Sequence, residues 1–418
     1  MSKTIAVTGA AGYVGSILVG RLLDAGYRVK ALDRFYFGSS TLGRYLYHPE
    51  LELKTIDIRD VTPRDLEGCW AVIDLAALSN DPSAEIDPAL TWEINEKGRI
   101  DLARSARSAG VERYVFSGSC SVYGAGGRAD LSEDCALRPL TAYARAAAAA
   151  EEAIRGMSRP GFVAVALRNA TMFGLSPRMR FDLVVNVMTL SAFENGRIVV
   201  TGGGQQRRPL VHVQDAARAF ICALEACGRG IGGQVFNIGL ANFRMNELSE
   251  VVSKSISPAV QVQFAPGGAD KRDYSVKFDR AREALGFSAS VGVPEGVIEL
   301  HRALTVNQVE RGLITKTVAW YSHIIQMQQL WNFGLVARSL AASTAEPDPS
   351  LAARQIAISA AVSKSPPRGR VARTAAALIG MVGITCGVEP DCSEDYFGLA
   401  ERIPRLAGAF EATLAGVI

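Results

Sequence analysis

The sequence lacks several features that mark special classes of protein. No run of lysine or arginine stands out, and the formal net charge is only +3, so neither a nucleic-acid nor a membrane partner is expected. The longest apolar stretch, residues 375–388, is too short and too interrupted by glycine to span a bilayer. The seven cysteines include no zinc-type CxxC pair, which favours reduced thiols in a cytoplasmic protein. A strand begins directly at residue 4, so no signal peptide is expected.

The chain instead shows a long alternation of short apolar strands and amphipathic helices over its first 170 or so residues. This repetition predicts an α/β fold, a Rossmann-type doubly wound parallel sheet with helices on both faces. The expected strands are 4–8, 28–33, 51–56, 71–75, 112–117 and 163–167. The expected helices are 13–25, 62–67, 89–109 and 141–156.

The first predicted strand leads into a glycine-rich turn. An apolar run at residues 5–7 is followed by Gly9, Gly12 and Gly15 with GxxGxxG spacing, and an apolar pattern with helical period begins at once. Such a turn makes an anion site, because the backbone can approach a pyrophosphate and the helix N-terminus offers unpaired N–H groups. The pattern therefore predicts a dinucleotide site. The alternative is a tight strand-to-helix turn that needs glycine for its geometry alone.

Asp33 ends the second predicted strand, close to the position roughly 20 residues further on where an acidic residue is expected. Its carboxylate is placed to accept hydrogen bonds from a ribose 2′-OH and would repel a 2′-phosphate. Asp33 therefore favours NAD over NADP, although Arg34 beside it could soften the preference. The alternative is an aspartate that only caps a turn at the strand end.

Ligands of parallel sheets lie at the carboxyl ends of the strands, so the residues after each strand are candidates. After the third strand, Asp57 could accept from an adenine amine, and Ile58 could pack on the ring. After the fourth, the small residues at 75–79 would let a cofactor lie close. These positions extend the predicted nucleotide site along the edge of the sheet.

A hydroxyl cluster that includes Ser119 follows the fifth strand and could polarise a substrate carbonyl, or could form only a serine-rich turn. Tyr143 begins the next helix, for which Thr141 is a suitable N-cap. Ser119 and Tyr143 are therefore candidates for the mouth of one cleft.

Five segments carry a recognisable signature. They are Thr8–Gly15 (TGxxGxxG), Asp57-Ile58, Ser119–Gly124 (SxxVYG), Tyr143 with the residues after it (YxxxK in part), and Arg208–Asp215 (RxxxHVxD). In this order the segments resemble the extended short-chain dehydrogenase/reductase superfamily, in its NAD-dependent nucleotide-sugar epimerase/dehydratase branch. The resemblance covers roughly residues 3–335.

The resemblance implies an NAD-dependent enzyme that acts on a nucleotide-activated sugar or a similar diphosphate-bearing metabolite. Tyr143 would take a hydroxyl proton while a hydride passes to NAD, and Ser119 would steady the oxygen. The transient ketone would permit epimerisation, elimination or decarboxylation. Family members commonly form homodimers through two helices, here about 89–109 and 141–156, although arginines such as Arg99 argue against a fully apolar helix bundle.

The motifs and the strand ends together predict the site residues. Cofactor contacts are expected from Gly9, Gly12, Tyr13, Val14, Gly15, Asp33, Arg34, Asp57, Ile58, Leu75, Ala76, Ala77 and Tyr143. Substrate contacts are expected from Ser79, Ser121, Thr171, Arg178, Arg180, Asn186 and Arg208. The arginines would clamp a diphosphate. No metal site is predicted.

The catalytic motif departs from the family at one position. Ala147 stands where YxxxK has its lysine, and no lysine lies between Lys97 and Lys254. At about 100° per residue, a lysine at i+4 shares the face of Tyr143 and its charge lowers the phenol pKa. Arg145 lies on the opposite side of the helix and is no simple substitute. Without the lysine, Tyr143 should be a poor base at neutral pH.

The alanine at position 147 has two possible origins, a natural loss of the lysine and an engineered replacement.

Because the lysine is absent, two further functions compete with the redox enzyme. One is an isomerase, cyclase or lyase of specialised metabolism that does not use Tyr-Lys redox chemistry. The other is a non-catalytic NAD-binding scaffold protein whose C-terminal tail recruits a partner.

The length of 418 residues allows two domains and a further small unit. An NAD-binding Rossmann domain is expected over residues 1–174 and 210–239. A smaller α/β substrate-binding domain is expected over 175–209 and 240–335, and residues 336–418 are expected to form a helical C-terminal extension.

Overall fold

The computed structural model describes residues 2–124, 128–226, 230–267 and 272–328. The chain divides into two compact units, Met1–Ser322 and His323–Ile418. The described part of the second unit, residues 323–328, is helical. The predicted helical extension at 336–418 lies outside the described residues.

The strands, in chain order, are β1 (Thr4–Thr8), β2 (Arg28–Asp33), β3 (Leu51–Thr55), β4 (Cys69–Asp74), β5 (Arg113–Ser119), β6 (Arg128–Leu131), β7 (Val163–Asn169), β8 (Thr171–Phe173), β9 (Arg197–Thr201), β10 (Arg207–His212), β11 (Val235–Ile238), β12 (Ala241–Arg244), β13 (Gln261–Ala265) and β14 (Tyr274–Val276). The helices are α1 (Gly15–Asp24), α2 (Asp81–Ala84), α3 (Pro88–Trp92), α4 (Arg99–Ser108), α5 (Ala142–Arg155), α6 (Val184–Asn195), α7 (Val213–Glu225), α8 (Met245–Ile256), α9 (Asp279–Leu285) and α10 (Val293–Thr305). Residues 317–322 are also helical.

A parallel sheet of seven strands forms the centre of the first unit, in the order β11-β7-β5-β4-β1-β2-β3. The order runs outward from β1 in both directions, which is the doubly wound arrangement. The predicted α/β Rossmann-type class is therefore confirmed. The six predicted strands are all present, with ends shifted by at most two residues.

Alternate residues of β1 pack into two different apolar clusters, which explains why the strand reads as a continuous apolar run. Ile5 and Val7 lie in one cluster with Leu18 of α1, and Ala6 lies in the other with Leu102 of α4. A parallel strand covered by helices on both faces has no solvent face, so polar residues do not alternate along it.

The predicted helix at 89–109 is interrupted in the structure. Between α3 and α4 the backbone makes a π-helical turn at Glu93–Gly98. Within this turn Asn95 is buried, and its amide bonds both backbone groups of Leu78, at 2.9 and 3.0 Å. The turn therefore anchors the segment that follows β4.

Smaller sheets lie beside the main one, in the pairings β12-β10-β8, β13-β9 and β14-β6. β11 joins the main sheet, as expected for residues 210–239, whereas β10 joins β8 and β12 instead. The boundary between an NAD-binding and a substrate-binding domain stays a prediction, because residues 1–322 form one compact unit.

No described helix is long and apolar enough to cross a membrane. Within the described ranges the cysteines Cys69, Cys120, Cys135 and Cys222 are free thiols. The same part of the chain holds no group of His, Cys, Asp and Glu side chains that could bind a metal ion.

Arg99 does not count against an apolar helix bundle, because its side chain is not on the surface of α4. Its side chain is 3% exposed and points into the protein, where Nε donates to Asp74 Oδ2 at 2.9 Å and Nη2 donates to the carbonyl of Ser117 at 2.9 Å. The Asp74 carboxylate also accepts from the hydroxyls of Thr8, at 3.1 Å, and Tyr114, at 2.9 Å. This buried network joins three central strands to α4.

We predict that Arg99→Met lowers the free energy of unfolding by about 3–5 kcal/mol, because it leaves the buried Asp74 carboxylate without its charged partner. Urea unfolding followed by circular dichroism measures the loss. Arg104→Met on the exposed face of the same helix is the matched control and should change stability by less than about 0.5 kcal/mol. Equal effects of the two substitutions would contradict the importance of the buried pair.

Candidate active site

The turn between β1 and α1 forms a cradle suited to an anion. Gly9 has φ of 65°, and a Cβ on Gly15 would lie 2.2 Å from the Gly9 carbonyl oxygen, so the turn needs glycine at both positions. Helix α1 begins at Gly15 with no side-chain cap and no acidic residue in its first turn. Its N-terminal N–H groups and dipole can therefore hold a phosphate. These features fit a bound dinucleotide.

Asp33, at the end of β2, faces the same turn. Its carboxylate accepts the N–H of Ala11 at 2.9 Å and that of Phe35 at 2.7 Å. Burial raises the pKa of Asp33, while these hydrogen bonds and the charge of Arg178 oppose the rise. A carboxylate held in this way keeps lone pairs for a further donor such as a ribose hydroxyl, and that contact stays a prediction.

Asp57 is buried in a cluster of charges after β3. It accepts from Arg59 Nε at 2.9 Å and from Arg34 Nη1 at 3.1 Å. Burial alone would raise the pKa of Asp57, but hydrogen bonds from Arg59 and the charges of Arg59 and Arg34 hold it below its usual value. Ile58 is buried in the adjoining apolar cluster. The guanidinium of Arg34 therefore pairs with the carboxylate of Asp57. This pair lies on the side of the glycine turn where Asp33 lies.

The segment after β4 borders the glycine turn closely. The N–H groups of Leu75 and Ala76 donate to Thr8 Oγ1 at 3.1 and 3.2 Å. A Cβ on Gly9 would lie only 3.0 Å from the backbone of both residues. Leu75 and Ala76 therefore border the glycine turn, and the cofactor contact expected of residues 75–77 stays a prediction.

The two predicted catalytic side chains lie together. Ser119 is the last residue of β5, and Tyr143 lies in the first turn of α5. Thr141 caps that helix by accepting the N–H of Ala144 at 3.1 Å, which confirms the predicted N-cap. Ser119 lies close enough to Tyr143 for its hydroxyl to lower the pKa of the phenol.

The pKa of Tyr143 is raised above its ordinary value. Burial is the main cause, and the negative charge of Asp81 adds to it. The nearby Ser119 hydroxyl and the positive charges of Arg99 and Arg180 lower the pKa without cancelling the rise. The phenol is therefore a weaker acid here than in water, in line with the expectation for a site without the lysine.

Ala147 is 4% exposed and packs in an apolar cluster with Cys120, Tyr123 and Tyr274. Arg145 is exposed, as the helix geometry predicted for position i+2. Lys97 is also exposed. The position where the family motif has its lysine is therefore held by a buried alanine, and both nearby cations are at the surface.

Arg180 and Asp182, in the loop after β8, form a buried ion pair. The pair is joined to the segment after β4, since Arg180 Nη1 donates to Ser79 Oγ at 3.2 Å and Asn80 Nδ2 donates to Asp182 Oδ2 at 2.6 Å. Burial would raise the pKa of Asp182, but the charge and hydrogen bonds of Arg180 lower it to about 2. Arg180 and Ser79, both predicted to contact substrate, are thus brought together.

Arg178 lies near this pair in a different environment. Its guanidinium carbon is 3.6 Å from the ring centroid of Phe37, and Nη2 donates to the hydroxyl of Thr317 at 3.0 Å. Its Nε is buried and has no hydrogen-bond partner. Burial and the charge of Arg180 lower the pKa of Arg178 to about 10. A buried guanidinium with an unused donor is suited to an anionic ligand.

A second group of charges adjoins the cap of α5. The carboxylate of Asp81 accepts from the Thr141 hydroxyl at 2.5 Å and pairs with Arg272. The carbonyl of Arg272 accepts a hydrogen bond from Arg208, the arginine of the RxxxHVxD segment. Arg208 is therefore linked through Arg272 and Asp81 to the start of the helix that carries Tyr143.

Asn186 corrects the sequence prediction. Its side chain has no exposed surface, and it accepts the N–H of Gly174 at 2.9 Å and donates to the Tyr13 hydroxyl at 3.1 Å and the Arg180 carbonyl at 2.9 Å. The prediction of a substrate contact is wrong, because its donors are used within the protein. The Tyr13 hydroxyl is likewise internal, since it is buried and donates to the Gly174 carbonyl at 2.6 Å.

Two other predicted substrate residues border this region. The N–H of Ser121 donates to Ser119 Oγ at 3.2 Å, and the Ser121 hydroxyl is buried without a partner. Thr171 begins β8, half-buried, opposite Leu210 of β10. Their contacts with substrate stay predictions.

A cavity of about 450 Å³ lies where three segments of the chain meet. Its walls come from residues 37–41 after β2, 175–179 after β8, and 308–315 after α10. Arg178 and Phe37 both line it. The cavity is therefore bordered both by Arg178 and by the segment that follows β2.

Sequence reasoning missed several residues of this site. Asp74 and Asp81 could have been found, because they end β4 or closely follow it, where ligands of parallel sheets lie. Thr317 gave no signal, since it contacts Asp182 from 135 positions further along the chain.

The family model described as "NAD dependent epimerase/dehydratase family" matches residues 5–239. A UDP-glucose 4-epimerase of Mycolicibacterium smegmatis is 31% identical over 304 residues, which are 70% of this chain and 95% of that protein. A UDP-glucuronic acid decarboxylase of Arabidopsis thaliana is 28% identical, over 70% of this chain and 68% of that protein.

Solved structures agree with these sequence matches. MoeE5 in complex with UDP-glucose and NAD has a TM-score of 0.64 and 28% identity, and the match covers 73% of this chain and 100% of MoeE5. DesIV, a dTDP-glucose 4,6-dehydratase from Streptomyces venezuelae with NAD bound, has a TM-score of 0.66 and 25% identity over 73% of this chain and 98% of DesIV.

The glycine turn, Asp33 and the paired Ser119 and Tyr143 lie within the matched residues 5–239. The expectation of NAD as cofactor is confirmed by the family match and by the NAD complexes of MoeE5 and DesIV. The protein is a member of the NAD-dependent epimerase/dehydratase family, in the nucleotide-sugar branch of the extended short-chain dehydrogenases/reductases.

Proposed function

We propose that this protein acts on a nucleotide-activated sugar by transient oxidation of a sugar hydroxyl. The observation that carries the proposal is the placement of Ser119 at the end of β5 and Tyr143 in the first turn of α5, near the buried Arg180, which is itself close to Arg178. A proton-transfer pair beside cationic side chains suits a substrate that carries both a reactive hydroxyl and a diphosphate.

NAD would be held by the glycine turn, the N-terminus of α1 and Asp33, and when bound it supplies the acceptor and later the donor of a hydride. The Tyr143 oxygen takes the proton of the sugar hydroxyl, and Ser119 holds the same hydroxyl oxygen by a hydrogen bond. Arg178, Arg180 and Arg208 bind the diphosphate and so fix the sugar in front of Tyr143.

The relatives support the nucleotide-sugar class and allow several outcomes. They include UDP-glucose 4-epimerases, a UDP-glucuronic acid decarboxylase and a dTDP-glucose 4,6-dehydratase. The names of these relatives share a nucleotide sugar and differ in the reaction. The proposal therefore extends to the transient oxidation and leaves the product open among these outcomes.

A second function is favoured by the surroundings of Ala147. Ala147 packs in an apolar cluster with Cys120, Tyr123 and Tyr274, and burial raises the pKa of Tyr143. A phenol that resists ionisation suits an isomerase or lyase that needs Tyr143 as a hydrogen-bond donor and not as a base. This alternative keeps the nucleotide-sugar ligand and changes the chemistry.

We predict that Gly15→Ala weakens NAD binding at least about tenfold, because the new Cβ would press on the Gly9 carbonyl and distort the phosphate cradle. Isothermal calorimetry with NAD measures the change. Gly156→Ala is the matched control, since a Cβ there would meet its nearest atom at 3.4 Å. Unchanged NAD affinity in Gly15→Ala would exclude the glycine turn as the dinucleotide site.

If Tyr143 acts as a base, its raised pKa predicts that kcat/KM rises with pH across the neutral and mildly alkaline range without a plateau. The group must lose its proton to act, and a higher pKa moves that loss to higher pH. Ala147→Lys should shift the rise toward lower pH, because a positive charge at i+4 lowers the phenol pKa. The rate at which enzyme-bound NADH absorbance appears transiently after rapid mixing with UDP-glucose, measured against pH and substrate concentration, gives both profiles.

The exposed Arg145 provides the control position for the added lysine. Arg145→Lys keeps the charge on the opposite side of the helix and should leave the pH profile unchanged. A flat profile in the unsubstituted protein, together with loss of its native activity in Ala147→Lys, would favour the non-redox alternative.

A further inference from the structure

The segment after α10 contributes to the site although it lies outside the residues matched to the family. Thr315 and Thr317 are 4% and 0% exposed. Phe181 stands between Arg180 and Asp182 in the sequence, and its N–H donates to the carbonyl of Thr315 at 2.9 Å. Thr315 also lines the cavity that Arg178 borders. The segment is therefore packed against the loop that carries the predicted diphosphate clamp.

Two aromatic residues hold the same segment against the cofactor side. Trp320 Nε1 donates to the carbonyl of Tyr36 at 2.8 Å, and the ring centroid of Tyr321 lies 5.7 Å from that of Phe37. Both partners follow β2, shortly after Asp33. The segment 315–321 thus bridges the two sides of the site.

The hydroxyl of Thr317 occupies the central position in this bridge. It donates to Asp182 Oδ1 at 2.9 Å and accepts from Arg178 Nη2 at 3.0 Å. Because a hydroxyl has a single proton, donation to Asp182 directs its lone pairs toward Arg178. One buried group therefore sets the orientation of both charged side chains.

We propose that Thr317 is a positioning residue for the nucleoside diphosphate of the substrate. It fixes Arg178 directly, and through Asp182 it fixes Arg180, which shares that carboxylate. This inference rests on the proposed function, because it takes a nucleoside diphosphate as the ligand of the two arginines. The chain's own segment after α10 then determines affinity for the substrate without touching the reacting atoms.

Replacement of the hydroxyl tests the inference. Thr317→Val keeps the shape of the side chain and removes both hydrogen bonds, so Arg178 and Asp182 can turn away from their present positions. We expect the Kd for UDP to rise about tenfold in the full-length protein, while the Kd for NAD changes less than twofold. Thr317→Ser restores the hydroxyl and should return the Kd for UDP to within about threefold of the original value.

Isothermal calorimetry with UDP and, separately, with NAD measures these values. Thr305→Val is the matched control, since Thr305 is exposed and its hydroxyl bonds only the His301 carbonyl, at 2.9 Å. If Thr317→Val does not fold, Thr317→Ala removes the same hydroxyl and replaces the valine variant in the titrations. Thermal unfolding of each variant establishes that it is folded at the temperature of the titration.

The outcomes distinguish failure of the inference about Thr317 from failure of the proposed function. Unchanged UDP binding in Thr317→Val, or equal weakening in Thr317→Ser, overturns the role of the hydroxyl while the proposed function stands. Equal loss of NAD affinity also overturns it, because the effect would then not be specific to the diphosphate clamp. Unsubstituted protein that binds NAD but not UDP contradicts the proposed nucleotide-sugar function itself, and this inference falls with it.

Discussion

The carboxylate of Asp182 is the contact on which the arrangement of the site depends. Only 15% of its side chain is exposed, and it accepts hydrogen bonds from Arg180, Asn80 and Thr317, which belong to three separate segments of the chain. A buried carboxylate needs such partners, because an unpaired charge in the interior is costly. One negative charge therefore holds three segments together, namely those that follow β4, β8 and α10.

A second buried carboxylate, Asp74, has the corresponding role within the sheet. It joins β1, β4 and β5 to α4 through Thr8, Tyr114 and Arg99, directly behind the glycine turn. Neither carboxylate is needed to touch a ligand. Their common effect is to fix the edge of the sheet where Ser119 and the glycine turn lie, so the ligand-binding residues are held in place before any ligand arrives.

The fold and the cofactor side of the site could be predicted from the sequence because they depend on local order along the chain. A strand, a glycine turn and a helix follow one another at residues 4–24, and Thr141 marks the start of α5 by its own cap. Contacts between distant segments could not be predicted in this way. Arg99 looked like a surface residue, Asn186 looked like a ligand contact, and Thr317 carried no motif, yet all three are buried hydrogen-bonding partners.

In the proposed function, Arg178 and Arg180 clamp a nucleoside diphosphate beside Tyr143, while the glycine turn holds NAD. A crystal structure of the full-length protein with NAD and UDP tests this claim most directly. We expect the UDP phosphates within hydrogen-bond distance of Arg178 and Arg180, and the NAD pyrophosphate at the N-terminus of α1. UDP bound away from these arginines, with Arg178 still directed only at Thr317, would contradict the account.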